Sequence, residues 1–282
     1  MAMNSLGARL FWGVAAILLL GCAGARAEDA SAWFQGLHSQ VRLISGGEKD
    51  GRLLAAVEIV LDRGFKTYWR NPGESGLPPR FDWSGSSNVA AIDLKWPAPA
   101  RTEDAGGVAY VYGERAVFPL LVEAREPGKP VKLKLDIDYG VCKDLCIPAS
   151  ASLSLDLTGE AIHRATIEGA LARVPILQPA GYDAPLSIGL VEPLPGEVRR
   201  FAVHVRAPEG SHASLFAEAP ENWFLSTSAE MQPTTPGSGM FILAVEEHPK
   251  PSPGSVPVRL TLVAGGQAIE TEIRLDLGQT PR

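Results

Sequence analysis

The residues in this sequence best suited to chemistry are two thiols separated by three residues, in Tyr139-Gly140-Val141-Cys142-Lys143-Asp144-Leu145-Cys146-Ile147-Pro148. A loop of this length that turns tightly brings the two Cα atoms within bridging distance, and close thiols pair in an oxidising compartment. Three uses of such a pair stay open. One is thiol–disulfide exchange: a bridge closing so small a loop removes only about 2 kcal/mol of unfolded-state entropy in the loop-closure model, which makes it a poor staple. Small or exposed bridges are also the readily reduced ones. A second use is a plain structural cross-link that pins a corner. The third is ligation of Cu(I), which suits soft thiolates, but no Met cluster or His pair accompanies the cysteines. The neighbours pull in opposite directions, Lys143 favouring thiolate and Asp144 opposing it.

Other chemistries find little footing. His38, His163, His204, His212 and His248 are scattered without ligand spacing, and no serine sits in a nucleophile elbow, so zinc and hydrolase readings fall away and no metal site is assigned. No glycine-rich phosphate loop of recognised spacing occurs, so no nucleotide is implied. Net charge is −6 with both signs interspersed, which argues against nucleic acid. Arg70, Asn71 and Glu74 receive no role, because turn chemistry accounts for Asn71-Pro72-Gly73. Trp69, Trp83 and Trp96 read as packing aromatics beside strands.

The compartment is set by the N-terminus. A single early cation, Arg9, precedes an apolar run over residues 10–20 and then Ala25-Arg26-Ala27. This reads as a secretory signal peptide, residues 1–27, cleaved after Ala27. A rival reading takes Leu19-Leu20-Gly21-Cys22 as a lipoprotein box with Cys22 as the lipidated anchor. Processing leaves about 255 residues, enough for two domains, and no later run reaches membrane-span length. The expectation is a soluble periplasmic protein.

The elements that must position the thiols are strands. Val131-Lys132-Leu133-Lys134-Leu135-Asp136-Ile137-Asp138-Tyr139 alternates strictly between apolar and charged residues, the pattern of a strand with one buried face. Further strands are predicted over residues 53–61, 116–122, 152–157, 187–191, 198–206, 240–245, 256–263 and 269–277. Residues 160–174 have helical composition, closed by Pro175, and Pro and Gly in residues 177–181 mark a boundary. The predicted fold class is all-β: two immunoglobulin-like β-sandwich domains joined by a short helix and linker. The expected limits are residues 28–159 for the first sandwich, 160–181 for helix and linker, and 182–282 for the second.

Four stretches resemble the N-terminal periplasmic domain of the thiol:disulfide interchange protein family DsbD and ScsB. They are Gly64-Phe65-Lys66-Thr67-Tyr68-Trp69-Arg70-Asn71-Pro72-Gly73 with Gly76-Leu77-Pro78-Pro79; Phe81-Asp82-Trp83-Ser84; Trp96-Pro97-Ala98-Pro99 leading to Tyr112-Gly113; and the cysteine segment from Asp138 to Pro148. The resemblance covers roughly residues 40–157. It implies an immunoglobulin-like domain whose cysteine pair takes electrons from a membrane-embedded thiol reductase and passes them to periplasmic thioredoxin-fold proteins, in the setting of cytochrome c biogenesis. It makes Cys142 and Cys146 the exchanging pair of a thiol–disulfide oxidoreductase that needs no bound cofactor. A mobile aromatic cap belongs to the same picture. The corresponding stretch, Asp104-Ala105-Gly106-Gly107-Val108-Ala109-Tyr110-Val111-Tyr112-Gly113, offers Tyr110 or Tyr112 as the lid, the alternative being that both are ordinary strand aromatics. The cysteine spacing is shorter here than in the better-known DsbD domain. No membrane conduit or C-terminal thioredoxin-like domain follows in the sequence, so the electrons are expected from a separate membrane protein. The competing class is a non-catalytic envelope binding or assembly module with a structural bridge, and Cu(I) binding is third.

Overall fold

A computed structural model describes residues 29–104, 106–157, 161–196, 199–249 and 254–277. The expected signal peptide, its cleavage site and Cys22 lie outside the described residues. Among the described residues, no helix is long and apolar enough to cross a membrane.

The first half of the chain forms strands β1 (Phe34–Gly36), β2 (Ser39–Lys49), β3 (Arg52–Leu61), β4 (Lys66–Gly73), β5 (Arg80–Asp82), β6 (Val89–Leu94), β7 (Ala100–Asp104), β8 (Gly107–Gly113), β9 (Arg115–Ala124), β10 (Val131–Cys142) and β11 (Cys146–Leu157). One helix, α1 (Arg164–Leu171), follows. The second half adds β12 (Ile176–Leu177), β13 (Ser187–Leu194), β14 (Arg200–Arg206), β15 (Ala213–Glu218), β16 (Phe224–Thr227), β17 (Gln232–Thr235), β18 (Ser238–Glu247), β19 (Ser255–Ala264) and β20 (Gln267–Asp276). The fold is all-β with immunoglobulin-like sandwiches, as the alternating runs predict.

In the first sandwich, the sheet β1-β2-β3-β9-β6 faces the sheet β11-β10-β4-β8-β7, with β5 added on β10. Their inner faces share one core that includes Leu43, Val57, Phe118, Leu133, Leu135 and Trp69. β10 shows how patterning makes this layer: Val131, Leu133, Leu135 and Ile137 are buried, while Lys132, Lys134, Asp136 and Asp138 face water. Burying four such aliphatic side chains is worth roughly 1.5–3 kcal/mol each. The second sandwich stacks β12-β20-β19-β15 on β13-β14-β18-β16, with β17 on β18, around Phe201, Val203, Leu215, Phe241, Leu243, Leu260 and Leu262.

Two expectations are adjusted. The helix is shorter than residues 160–174: α1 covers Arg164–Leu171 and lays Ile167 against Ile44, Leu54 and Ala56 on the outer face of the first sheet. Pro175 stops it, since the residue before a proline is pushed out of helical geometry. Of the stretch 104–113, expected to carry a mobile cap, Asp104 and Gly107–Gly113 instead belong to strands β7 and β8, paired from Ala100↔Val111 to Asp104↔Gly107. The run Ala109-Tyr110-Val111-Tyr112 is buried on both faces, and such a run is a central strand rather than a lid.

Candidate redox site

Cys142 and Cys146 form a disulfide with a Cα–Cα distance of 4.1 Å. The position follows from register. β10 and β11 pair antiparallel through twelve consecutive rungs, from Val131↔Leu157 to Cys142↔Cys146. The bridge is therefore the last rung at the tip of a long hairpin, and Lys143-Asp144-Leu145 is the turn beyond it, closed by the Lys143 amide donating to the Leu145 carbonyl at 3.2 Å.

The two sulfurs see different surroundings. Even positions of β10 face away from the sandwich core and are exposed as far as Asp138, yet Gly140 and Cys142 are buried. The cover comes from Tyr68, Ala109 and Val111, which form a small satellite cluster with Cys142 on the outer side of the sheet. The segment after β4 adds to it: the Gly140 amide donates to the Leu77 carbonyl at 3.2 Å. Cys142 is only 1% exposed, whereas Cys146 is exposed and its neighbour Leu145 is 81% exposed. Of the two cysteines, only Cys146 reaches the surface.

Tyr68 makes the closest polar contact. Its hydroxyl lies 2.9 Å from Cys146 Sγ, and because a disulfide sulfur carries no hydrogen, the hydroxyl donates. The ring is held in a glycine cradle. A Cβ placed on Gly76, where φ is +149°, would fall 2.4 Å from Tyr68 Cε1, and one on Gly140 would fall 3.2 Å from Tyr68 Cδ2. Around the turn, the Lys143 ammonium lies 5.9 Å from the Phe65 ring centroid, and Phe65 stacks on His38 at 4.2 Å.

The residues expected as a cap lie elsewhere. Tyr110 and Tyr112 alternate with Ala109 and Val111 on β8, so they point to the opposite face, into the core of the sandwich. Tyr110 packs edge-on against Phe216 at 4.8 Å, and the Tyr112 hydroxyl donates to the Pro97 carbonyl at 2.7 Å. Burial raises the pKa of Tyr110, and that of Tyr112 well above the ordinary phenol value. The aromatic that meets the bridge is Tyr68, which sequence reading did not single out. Trp69 is fully buried, and Trp83 and Trp96 pack against the same core, as expected of packing aromatics. Arg70 and Asn71, left without a role, reach the second half of the chain.

The immunoglobulin-like sandwich thus carries a disulfide at a hairpin tip, with Cys146 exposed and Cys142 covered. Residues 40–158 match the family described as thiol:disulfide interchange protein DsbD, N-terminal, which supports the resemblance to the DsbD/ScsB N-terminal domains. The fold also matches the N-terminal periplasmic domain of ScsB from Proteus mirabilis, with TM-score 0.68 and 20% identity, over 89% of this chain and 100% of that one. At that identity the likeness shows the fold. The yeast GGA1 GAE domain (14% identity, 44% of this chain and 97% of that one, TM-score 0.24) and a conserved domain protein from Bacillus anthracis (9% identity, 87% and 89%, TM-score 0.21) are too distant to carry an argument. Among curated proteins no match was found.

Proposed function

We propose that the protein exchanges its Cys142–Cys146 disulfide with partner thiols, and that Cys146 is the sulfur at which partners join. The observation that carries this reading is the place of the bridge. It crosses two residues already held opposite each other by a twelve-rung ladder, so it adds almost no topological constraint. Its exposed sulfur suits exchange better than stapling.

The chemistry runs through both thiols. When a reduced partner approaches, its thiolate attacks Cys146 Sγ, the S–S bond breaks, and the electron pair leaves with Cys142, which takes a proton because a buried thiolate is costly. The partner's second thiolate then attacks its own sulfur in the mixed disulfide. Cys146 departs as a thiolate that accepts the Tyr68 hydroxyl proton in a hydrogen bond and is then protonated by solvent. The domain has gained two electrons and two protons, and the partner has become a disulfide. The reverse sequence passes them on, with the Cys146 thiolate attacking a partner disulfide and Cys142 resolving the adduct.

The family resemblance supports the wider setting: electrons drawn from a membrane-embedded thiol reductase and delivered to periplasmic thioredoxin-fold proteins, with export through a signal peptide ending near Ala27. In this scheme residues 28–159 are the redox domain, 160–181 the connection, whose end already pairs as β12 with β20, and 182–282 a second sandwich. The test is the reduction potential of the bridge, obtained by equilibration in glutathione or dithiothreitol buffers and trapping of free thiols. A value of roughly −180 to −270 mV, in the range of exchange proteins, is expected. A bridge that stays oxidised well below about −300 mV would mark a structural cross-link and overturn the proposal.

A further inference from the structure

Strand β4 has the redox site at one end and the second sandwich at the other. Lys66 is the rung opposite Cys142, and Tyr68 reaches Cys146. The next three residues all turn to β15. Trp69 packs edge-on against Phe216 at 5.8 Å, the Asn71 side-chain amide donates to the Ala217 carbonyl at 2.9 Å, and Arg70 grips Glu218 through Nε (2.9 Å) and Nη2 (2.7 Å). Glu270 on β20 takes a further hydrogen bond from Arg70 Nη2, whose guanidinium also lies 4.5 Å over the Trp69 ring. These three charged side chains are 15–22% exposed, the setting in which a forked, charge-assisted pair holds geometry best.

The sheet itself holds β4 weakly just here. Its ladder with β8 runs from Lys66↔Gly113 to Tyr68↔Val111 and resumes only at Gly73↔Ala109, and its pairing with β10 is the single rung at Lys66. Beyond Tyr68, Trp69 is seated in the first sandwich's core beside Tyr110, while the polar side-chain anchors of Arg70 and Asn71 lie on the second sandwich. Arg70 lies two residues on, a span of about 7 Å at the strand rise, so its anchor bears directly on where the Tyr68 ring sits.

We propose that Glu218 and Glu270 are positioning residues for the redox site: by gripping Arg70 they hold the unpaired stretch of β4 so that the Tyr68 hydroxyl stays on Cys146. The second sandwich thereby sets the reactivity of a sulfur it does not touch. This inference rests on the assignment of Cys146 as the exchanging sulfur, and its readout needs no partner protein, so it fails separately from the exchange reading.

The experiment measures the pH profile of Cys146 alkylation by iodoacetamide in the reduced full chain, with the modified peptide quantified by mass spectrometry, for the parent, E218Q/E270Q, R70K, Y68F and the triple variant. E218Q/E270Q is expected to slow alkylation at pH 7 at least threefold and to move the profile upward in pH, as Y68F does. R70K, which keeps the charge and loses the fork, falls between parent and E218Q/E270Q. In the Y68F background the two Gln substitutions are expected to add nothing, the signature of action through Tyr68. A folded E218Q/E270Q whose profile superimposes on the parent's, or whose effect is undiminished in Y68F, overturns the proposal. Should circular dichroism show that E218Q/E270Q does not fold, N71A, which removes one hydrogen bond across the same junction, is read by the same two criteria.

Discussion

The Tyr68 hydroxyl donates a hydrogen bond to Cys146 Sγ across 2.9 Å, joining two residues 78 positions apart in the sequence. Reduction of the bridge leaves that hydroxyl facing a thiol or thiolate, and a donor favours the charged form. A hydrogen bond to a charged group is worth about 1.5–3 kcal/mol, and one pKa unit corresponds to about 1.4 kcal/mol. Tyr68→Phe is therefore expected to raise the Cys146 pKa by about one unit, seen as an upward shift in the pH profile of alkylation. An unshifted midpoint would remove Tyr68 from the redox site.

The unequal exposure of the two sulfurs predicts unequal behaviour of the single-cysteine variants. Cys142→Ser leaves the exposed Cys146 free and should accumulate a mixed disulfide with glutathione or a partner. Cys146→Ser leaves Cys142, 1% exposed, and should form adducts at least tenfold more slowly, about 1.4 kcal/mol in barrier. Intact-mass measurement after timed exposure to oxidised glutathione distinguishes them, and equal rates would contradict the assignment of Cys146 as the entry point.

Gly76 is predicted to be a sensitive position away from the cysteines. A methyl group there would sit 2.4 Å from the Tyr68 ring, so Gly76→Ala must displace either the ring or the segment carrying Leu77. The expected result is the alkylation profile of Tyr68→Phe together with a stability loss of about 1–3 kcal/mol, typical of overpacking, measured by urea unfolding. A parent-like profile would show that the cradle yields without moving the hydroxyl.

Because the hairpin is already closed by its ladder, removing the bridge should cost little. Cys142→Ala/Cys146→Ala is expected to lose less than about 2 kcal/mol, the loop-closure figure for so short a loop. Chemical denaturation of this variant beside the oxidised parent provides the comparison. A loss of about 4 kcal/mol or more would return the bridge to a structural role.

Alkaline pH should destabilise the fold through its buried phenols. Burial raises the pKa of Tyr112, Tyr110 and Tyr139 in the folded chain, while the unfolded chain ionises them near the ordinary phenol value of about 10. A folded pKa above the unfolded one means that this contribution is whole below about pH 10 and is lost as pH rises through the folded values. Tyrosinate absorbance for these three residues should thus appear together with loss of the β signal in circular dichroism. Tyrosinate from all three while the fold persists would contradict their burial.

Local pattern decided much of this protein before any folding. The strict alternation of residues 131–139 sets which side chains of β10 enter the core, because successive strand residues point to opposite faces. The spacing of Cys142 and Cys146 is local as well, so a candidate bridge was legible, as was an all-β chain with a second set of strands after residue 181. Residues 104–113 misled because the resemblance carried a mobile cap onto them, and strand parity, visible only once β8 is placed between β4 and β7, turned Tyr110 and Tyr112 away from the bridge. What tertiary structure alone decided are the long-range meetings: Tyr68 with Cys146, and Arg70 with Glu218 and Glu270, 148 and 200 positions away. No periodicity encodes those partners, since they arise from which strand lies beside which in the sheet and from how one sandwich packs on the other, and both are settled by burial of the whole chain rather than by any local run of residues.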